Sequence, residues 1–241
     1  MQTNSPSTAR ANYHRILLGR ISTIAARMIR ATVIIAVTLF VPVIGHPDLL
    51  LHPKLITLSF IGYVLLLSQH DLKKSDAEAQ AETDRGSVLA ILIAAVLSQV
   101  IPVVEWGYFN HDQWGNPIVS FVGLMMASTG LALRIWSIRT MGACFSVTVQ
   151  IMPGHRVIKH GPFAIVRHPC YLGAILTLIG CAIFLNAPIG AVLASITTTL
   201  AYGIRLRMEE RILLEVFGHE YREYRRTTPM LIPLRIRFDR S

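Results

Sequence analysis

Two short polar segments, 167–173 and 205–210, contain the side chains best suited to binding a small charged molecule. The first contains His168, and the second places Arg205 and Glu209 four positions apart, on one face of a helix. An imidazole, a guanidinium and a carboxylate can together hold a ligand that carries charges of both signs. We therefore expect the two segments to face each other across a binding site.

The proline at position 169 predicts that a helix begins directly after His168. Proline keeps the preceding residue extended and is favoured in the first turn of a helix, whose unpaired amide groups can bind an anion such as a carboxylate. A plain helix start with a histidine in the preceding loop explains the same residues. For Glu209, a surface ion pair and the binding of a cationic group are equally consistent with the spacing. Both alternatives stay open at this point.

The elements that must position these segments are apolar. The 241 residues are 52% hydrophobic and only 15% charged, and the mean hydropathy of +0.49 is typical of a polytopic membrane protein. Apolar runs lie near residues 31–45, 55–70, 87–104, 118–138, 170–186 and 189–204, at or slightly below the length of a spanning helix. We predict an all-α integral membrane bundle with about six spanning helices. The last two would form a helical hairpin, followed by a cytoplasmic C-terminal helix.

The basic residues predict the orientation of the bundle. The loop 45–54 has one basic residue and the loop 105–117 has none, whereas residues 1–30 carry five arginines and the tail carries many more. By the positive-inside rule, both termini and the active site are cytoplasmic. We divide the chain into a cytoplasmic N-terminal segment (1–30), four membrane helices (31–138) and a cofactor-binding region (139–241).

The sequence argues against two classes of partner, a nucleic acid and a metal ion. The net charge of +9 comes from residues that flank apolar runs, which favours a membrane surface over a nucleic acid. Cys144, Cys170 and Cys181 form no metal-binding spacing, and the nine histidines include no HExxH pattern. We therefore expect no metal site and interpret the cysteines as small packing residues.

Two further features have plain structural interpretations. Arg134 lies near the inner end of the fourth apolar run, where snorkelling to the interface is the simplest explanation. Phe217, Tyr221 and Tyr224 recur at helical spacing, so we expect them to dock the tail helix onto the 139–169 loop or the bilayer surface.

Four short motifs follow one another in the second half of the chain. They are His155-x-Val-Ile-x-x-Gly-Pro-Phe163, Arg167-His168-Pro169-x-Tyr171-x-Gly173, Glu209-Glu210 and Phe217-Gly218-x-x-Tyr221-x-x-Tyr224. This ordered set resembles the isoprenylcysteine carboxyl methyltransferase family and is similar, more loosely, to the phospholipid N-methyltransferases. The resemblance covers roughly residues 139–233. It implies an integral membrane enzyme that uses S-adenosylmethionine to methylate a carboxylate on a lipid-like substrate of the isoprenylcysteine type, free or on a prenylated protein.

The resemblance also implies the site residues. Arg205 would bind the substrate and serve as the catalytic residue, and Phe163 stands where the family commonly has tyrosine. The cofactor would contact Gln150, His155, Arg156, Val157, Ile158, Phe163, His168, Pro169, Cys170, Tyr171 and Glu209.

These residue types suit that reaction. Glu209 suits the ammonium group of the cofactor, and a substrate carboxylate is already ionised at neutral pH, so the reaction needs no general base. Catalysis would consist mainly of positioning and removal of water. Three alternatives remain open: a phospholipid N-methyltransferase, an NADPH-dependent membrane reductase of the sterol type with a similar Arg-His-Pro-x-Tyr-x-Gly element, and a non-catalytic scaffold.

Overall fold

The structure, a computed structural model, describes residues 23–68, 85–110, 112, 114–142 and 157–233. Within these ranges the chain forms six long helices and no strand. The helices are α1 (Thr23–Val43), α2 (Pro53–Leu67), α3 (Arg85–Val104), α4 (Pro117–Met141), α5 (Pro169–Phe184) and α6 (Pro188–Thr227). A π-helical turn, Glu105–Phe109, continues α3.

The helices have the composition of membrane spans. Those labelled α1, α3, α4 and α6 are long and apolar enough to cross a bilayer, whereas α2 and α5 are apolar but shorter. Large apolar side chains such as Val33, Phe60 and Leu200 are exposed along them, as expected for a surface that faces lipid. The all-helical membrane fold is confirmed, and the number of six crossings stays a prediction.

Two helix ends differ from the positions suggested by the apolar runs. Helix α1 already includes Thr23, so residues 23–30 of the predicted N-terminal segment are helical. The helix that begins in the sixth apolar run continues without a break past Arg205, because the following residues are mostly good helix formers. The helix leaves regular geometry only at Gly218, whose φ of 49° and ψ of −112° redirect the chain. We call residues 219–230, which follow this turn, the arm.

Small residues bring α4 and α5 into very close contact. A Cβ atom added at Gly130 would lie 2.6 Å from the Gly173 carbonyl oxygen, and one added at Gly180 would lie 2.5 Å from the Ala127 nitrogen. Such pairs of small residues let two membrane helices approach at the level of their backbones. The pairing runs antiparallel and places the end of α4 beside the start of α5.

A buried carboxylate joins α3 to α6. Glu105 is 8% exposed and accepts hydrogen bonds from the amides of Ile189 (3.1 Å) and Gly190 (2.6 Å). These amides belong to the first turn of α6, where they have no partner within the helix and where negative charge is favourable. Further along the pair, the hydroxyls of Ser98 and Thr197 are 3.4 Å apart. The two helices therefore run antiparallel, and the start of α3 reaches the middle of α6.

We predict that Gly130→Ala destabilises the fold, because the new methyl group would meet the backbone of α5. Overpacking of this kind costs about 1–3 kcal/mol of unfolding free energy. The measurement is the thermal unfolding midpoint of the purified protein in detergent. Gly203→Ala is the matched control, because a Cβ there meets nothing within 4 Å. Equal midpoints for the two variants would contradict the close packing of α4 and α5.

Candidate functional site

The two polar segments meet, as expected, at one end of the bundle. His168 Nδ1 lies 4.0 Å from Glu209 Oε1, and the Tyr171 hydroxyl donates a hydrogen bond of 2.6 Å to Glu209 Oε2. The rings of His168 and Tyr171 are stacked, with centroids 5.9 Å apart. The start of α5 and the middle of α6 therefore form one polar site.

Helix α5 begins at Pro169, as the proline predicted. The two amides before it are not available to a ligand, because the arm uses them. The Arg167 amide donates to the Pro229 carbonyl (2.9 Å) and the His168 amide donates to the Met230 carbonyl (3.1 Å). The end of the arm is thus paired with the segment that precedes α5.

Arg205 is buried, with 2% of its surface exposed. Its Nη1 donates to the Ser87 hydroxyl (3.1 Å) and its Nε donates to the Tyr171 hydroxyl (3.4 Å). Contacts with α3 and with α5 therefore both orient the guanidinium. Sequence reasoning missed Ser87, because nothing distinguishes this serine from others at the ends of apolar runs.

Glu210 is the most heavily hydrogen-bonded carboxylate of the described residues, although sequence reasoning assigned it no role. Its Oε1 accepts from His168 Nε2 (2.8 Å), Arg167 Nε (2.9 Å) and the Tyr221 hydroxyl (2.6 Å). Its Oε2 lies 3.1 Å from both Arg167 Nη2 and Arg225 Nε. Consecutive residues on a helix point about 100° apart, so Glu209 faces Tyr171 while Glu210 faces the arm.

The protonation state of Glu210 follows from these contacts. The residue lies beyond the apolar part of α6, which ends near residue 204. Burial alone would raise its pKa, but hydrogen bonds from His168, Arg167 and Tyr221 outweigh burial and lower the pKa of Glu210 to about 2. The carboxylate is therefore ionised at neutral pH.

Arg134 corrects one expectation from the sequence. Its side chain does not snorkel to an interface: it is 8% exposed. Its Nη1 donates to the Cys170 carbonyl (3.2 Å) and lies 3.3 Å from the Cys170 sulfur. Its Nε is buried without a hydrogen-bond partner in the described part of the chain. The small Gly173 lets α5 approach closely enough to cover this guanidinium.

The remaining predicted cofactor residues are partly described. Phe163 is buried in a short 3-10 helix, Gly161–Ala164, and its carbonyl accepts a 2.6 Å hydrogen bond from the Tyr224 hydroxyl. This contact confirms that the tail docks onto the preceding loop. Val157 and Ile158 are half-buried. Three predicted residues, Gln150, His155 and Arg156, lie outside the described residues.

The fold and the site together define a polytopic α-helical membrane protein with buried charges of both signs at one end of its bundle. Comparisons with known proteins show what the chain is similar to. The sequence profile of the isoprenylcysteine carboxyl methyltransferase family matches residues 122–215, a range that contains both polar segments.

Individual relatives agree with this match. The Arabidopsis thaliana protein-S-isoprenylcysteine O-methyltransferase B is 28% identical over 173 residues, covering 71% of this chain and 85% of that protein. The mouse protein-S-isoprenylcysteine O-methyltransferase is 32% identical over 150 residues, covering 60% of this chain and 52% of that protein. The solved structure of a eukaryotic intramembrane Ras methyltransferase, an isoprenylcysteine carboxyl methyltransferase, superposes with a TM-score of 0.62 at 25% identity, covering 88% of this chain and 76% of that one. The chain is therefore similar, over its second half above all, to isoprenylcysteine carboxyl methyltransferases.

We predict that Tyr171→Phe lowers the methyl-transfer rate about tenfold or more, because one hydroxyl contacts both Glu209 and Arg205 and hydrogen bonds to charged groups contribute roughly 1.5–3 kcal/mol. The measurement is the initial rate with a labelled methyl donor. Tyr108→Phe, at the opposite end of the bundle, is the control for the same chemical change. An unchanged rate in Tyr171→Phe would show that this hydroxyl does not organise the site.

Proposed function

We propose that the protein transfers a methyl group from S-adenosylmethionine to the carboxylate of an isoprenylcysteine. The observation that carries this proposal is that Tyr171 joins an acidic residue, Glu209, to a buried basic residue, Arg205, at one end of a membrane bundle. The relatives support the choice of reaction and substrate, since they are named protein-S-isoprenylcysteine O-methyltransferases.

The residues present fit this cofactor. S-adenosylmethionine carries an ammonium, a carboxylate and an adenine, and when bound it supplies a methyl group on a positively charged sulfur. Glu209 suits the ammonium, because its side chain is 23% exposed whereas that of Glu210 is 9% exposed and surrounded by donors. The first-turn amides of α5, which begins directly after His168, suit the carboxylate. The rings of Phe163 and Tyr171 suit the adenine and the sulfonium.

Arg205 would hold the carboxylate of the substrate. A planar guanidinium can bind a carboxylate through two parallel hydrogen bonds, which fixes the direction of its oxygens. Arg134 adds a second buried positive charge near the same end of α5, beside Cys170. Because these groups are shielded from water, their attraction for an anion is stronger than it would be at an exposed surface.

The described basic residues favour a cytosolic location for this end of the bundle. Exposed or partly exposed arginines and lysines collect around it: Arg139, Lys159, Arg207, Arg211, Arg222, Arg225 and Arg226. At the opposite end, in the loops beside Glu105 and Asn186, Lys54 is the basic residue that the structure describes. This asymmetry follows the positive-inside rule.

The two alternative activities considered from the sequence are not favoured. The relatives and the superposed structure are carboxyl methyltransferases. They support neither a phospholipid N-methyltransferase nor a nicotinamide-dependent reductase.

The proposal predicts transfer of label from methyl-labelled S-adenosylmethionine to a farnesylated cysteine derivative by the purified protein. The product would be a methyl ester, so mild base would release the label as methanol. An S-farnesylcysteine amide, which lacks the free carboxylate, is the control substrate. Label that survives base, or transfer to the amide, would contradict carboxyl methylation.

We further predict that Glu209→Gln and Arg205→Gln differ in the step that they affect. Glu209→Gln removes the charge proposed to bind the ammonium, so it should weaken binding of S-adenosylhomocysteine about tenfold or more. Arg205→Gln should leave that affinity near the wild-type value and lower kcat. Calorimetric titration and initial rates measure the two effects. Equal losses of cofactor affinity in both variants would contradict the separate roles.

A further inference from the structure

We propose that Glu210 is a positioning residue for the methyl-transfer reaction. Its carboxylate holds the His168 ring in one orientation and attaches the arm to the segment before α5, beside the proposed cofactor site. This inference rests on the proposed function, because it gives a role in cofactor binding to a residue that does not itself face the ligand. The proposal is carried by the contacts of Glu210 and by the path of the arm.

The contacts of Glu210 come from separate parts of the chain. His168 and Arg167 belong to the segment before α5, whereas Tyr221 and Arg225 belong to the arm, and Glu210 itself lies on α6. The five donated hydrogen bonds and ion contacts are all between 2.6 and 3.1 Å. One carboxylate therefore joins three segments that are far apart in the sequence.

The bond to His168 determines which ring nitrogen faces the site. An ionised carboxylate only accepts hydrogen bonds, so the 2.8 Å contact requires the proton on His168 Nε2. The other nitrogen, Nδ1, is then directed to the side of Glu209, 4.0 Å away. Loss of the Glu210 charge would release the ring from this orientation.

The arm covers the same segment through its backbone. The carbonyls of Pro229 and Met230 accept from the amides of Arg167 and His168, and the Thr228 carbonyl accepts from the Arg167 side chain. The chain can return to this position because Gly218 adopts a left-handed conformation, with φ of 49°. The same Arg167 side chain donates to Glu210, so the charge of Glu210 and the position of the arm depend on each other.

The test compares Glu210→Gln with Glu220→Gln. Glu220 lies on the arm and forms an exposed ion pair with Lys159, so the control makes the same chemical change at another carboxylate of this region. We expect Glu210→Gln to raise the Kd for S-adenosylhomocysteine and the KM for S-adenosylmethionine about tenfold or more, since its lost hydrogen bonds are charge-assisted. The KM for the farnesylated cysteine should stay within about twofold, because Arg205, proposed to hold that substrate, is oriented by Ser87 and Tyr171. Glu220→Gln should behave as wild type.

A second variant tests the proposal independently, in case Glu210→Gln misfolds. Tyr221→Phe removes one of the three donors to Glu210 Oε1 and keeps the buried ring. It should raise the same Kd by a smaller factor. In the double variant the two factors should not multiply, because both changes disrupt one network.

Trypsin gives an independent readout of the arm. In Glu210→Gln, cleavage after the exposed Arg222 and Arg226 should become faster than in wild type, because the arm loses its attachment. Glu220→Gln should not change this rate.

Three results would overturn the inference: a wild-type Kd in Glu210→Gln, an equal rise in the KM values of both substrates, or multiplying factors in the double variant. If Glu210→Gln does not fold, a wild-type Kd in Tyr221→Phe would overturn it. Failure of the proposed function is a different outcome, in which the wild-type protein neither binds S-adenosylhomocysteine nor methylates the farnesylated cysteine.

Discussion

The hydrogen bond between the Tyr171 hydroxyl and the Glu209 carboxylate, 2.6 Å long, is the contact on which the site depends. It joins the start of α5 to the middle of α6, and the same hydroxyl accepts a hydrogen bond from Arg205. Without it, no group would keep the Glu209 carboxylate and the buried Arg205 guanidinium at a fixed distance from each other. A ligand with charges of both signs needs such separated partners, and here one tyrosine provides the spacing.

The helix pairs outside the site make this contact possible. Glycines at the interface of α4 and α5 let the two backbones approach closely, which fixes where α5 begins. Glu105, at the other end of the bundle, anchors the first turn of α6. Because helices are stiff, these two contacts determine the position along the bundle axis at which Tyr171 meets Glu209. The packing of apolar spans and the geometry of the polar site are therefore parts of one constraint.

The sequence was sufficient for those features that depend on local chemistry. Pro169 predicted the start of α5, and the spacing of Arg205 and Glu209 predicted their common helix face. Hydropathy predicted the membrane class, and the ordered motifs predicted the family whose profile matches residues 122–215. The sequence was insufficient where the outcome depends on distant partners. Nothing local distinguishes Glu209 from Glu210, since distant partners decide that Glu209 contacts Tyr171 and that Glu210 contacts the arm.

Burial of charge was equally hard to infer. The sequence position of Arg134 predicts an interfacial arginine, but the small Gly173 on the neighbouring helix lets α5 cover its side chain. In the sequence, Ser87 resembles any serine at the end of an apolar run, but the antiparallel pairing of α3 and α6 places it against Arg205. In both cases the deciding information lies in a second helix, and a single sequence does not state which helices will pair.

A crystal structure with S-adenosylhomocysteine bound would test the central claim most directly. We expect the ligand to lie between the start of α5 and the middle of α6, with its ammonium within hydrogen-bond distance of Glu209 and its carboxylate beside His168. A ligand bound elsewhere, for example at the end of the bundle that contains Glu105, or one that leaves Glu209 without contact, would contradict it.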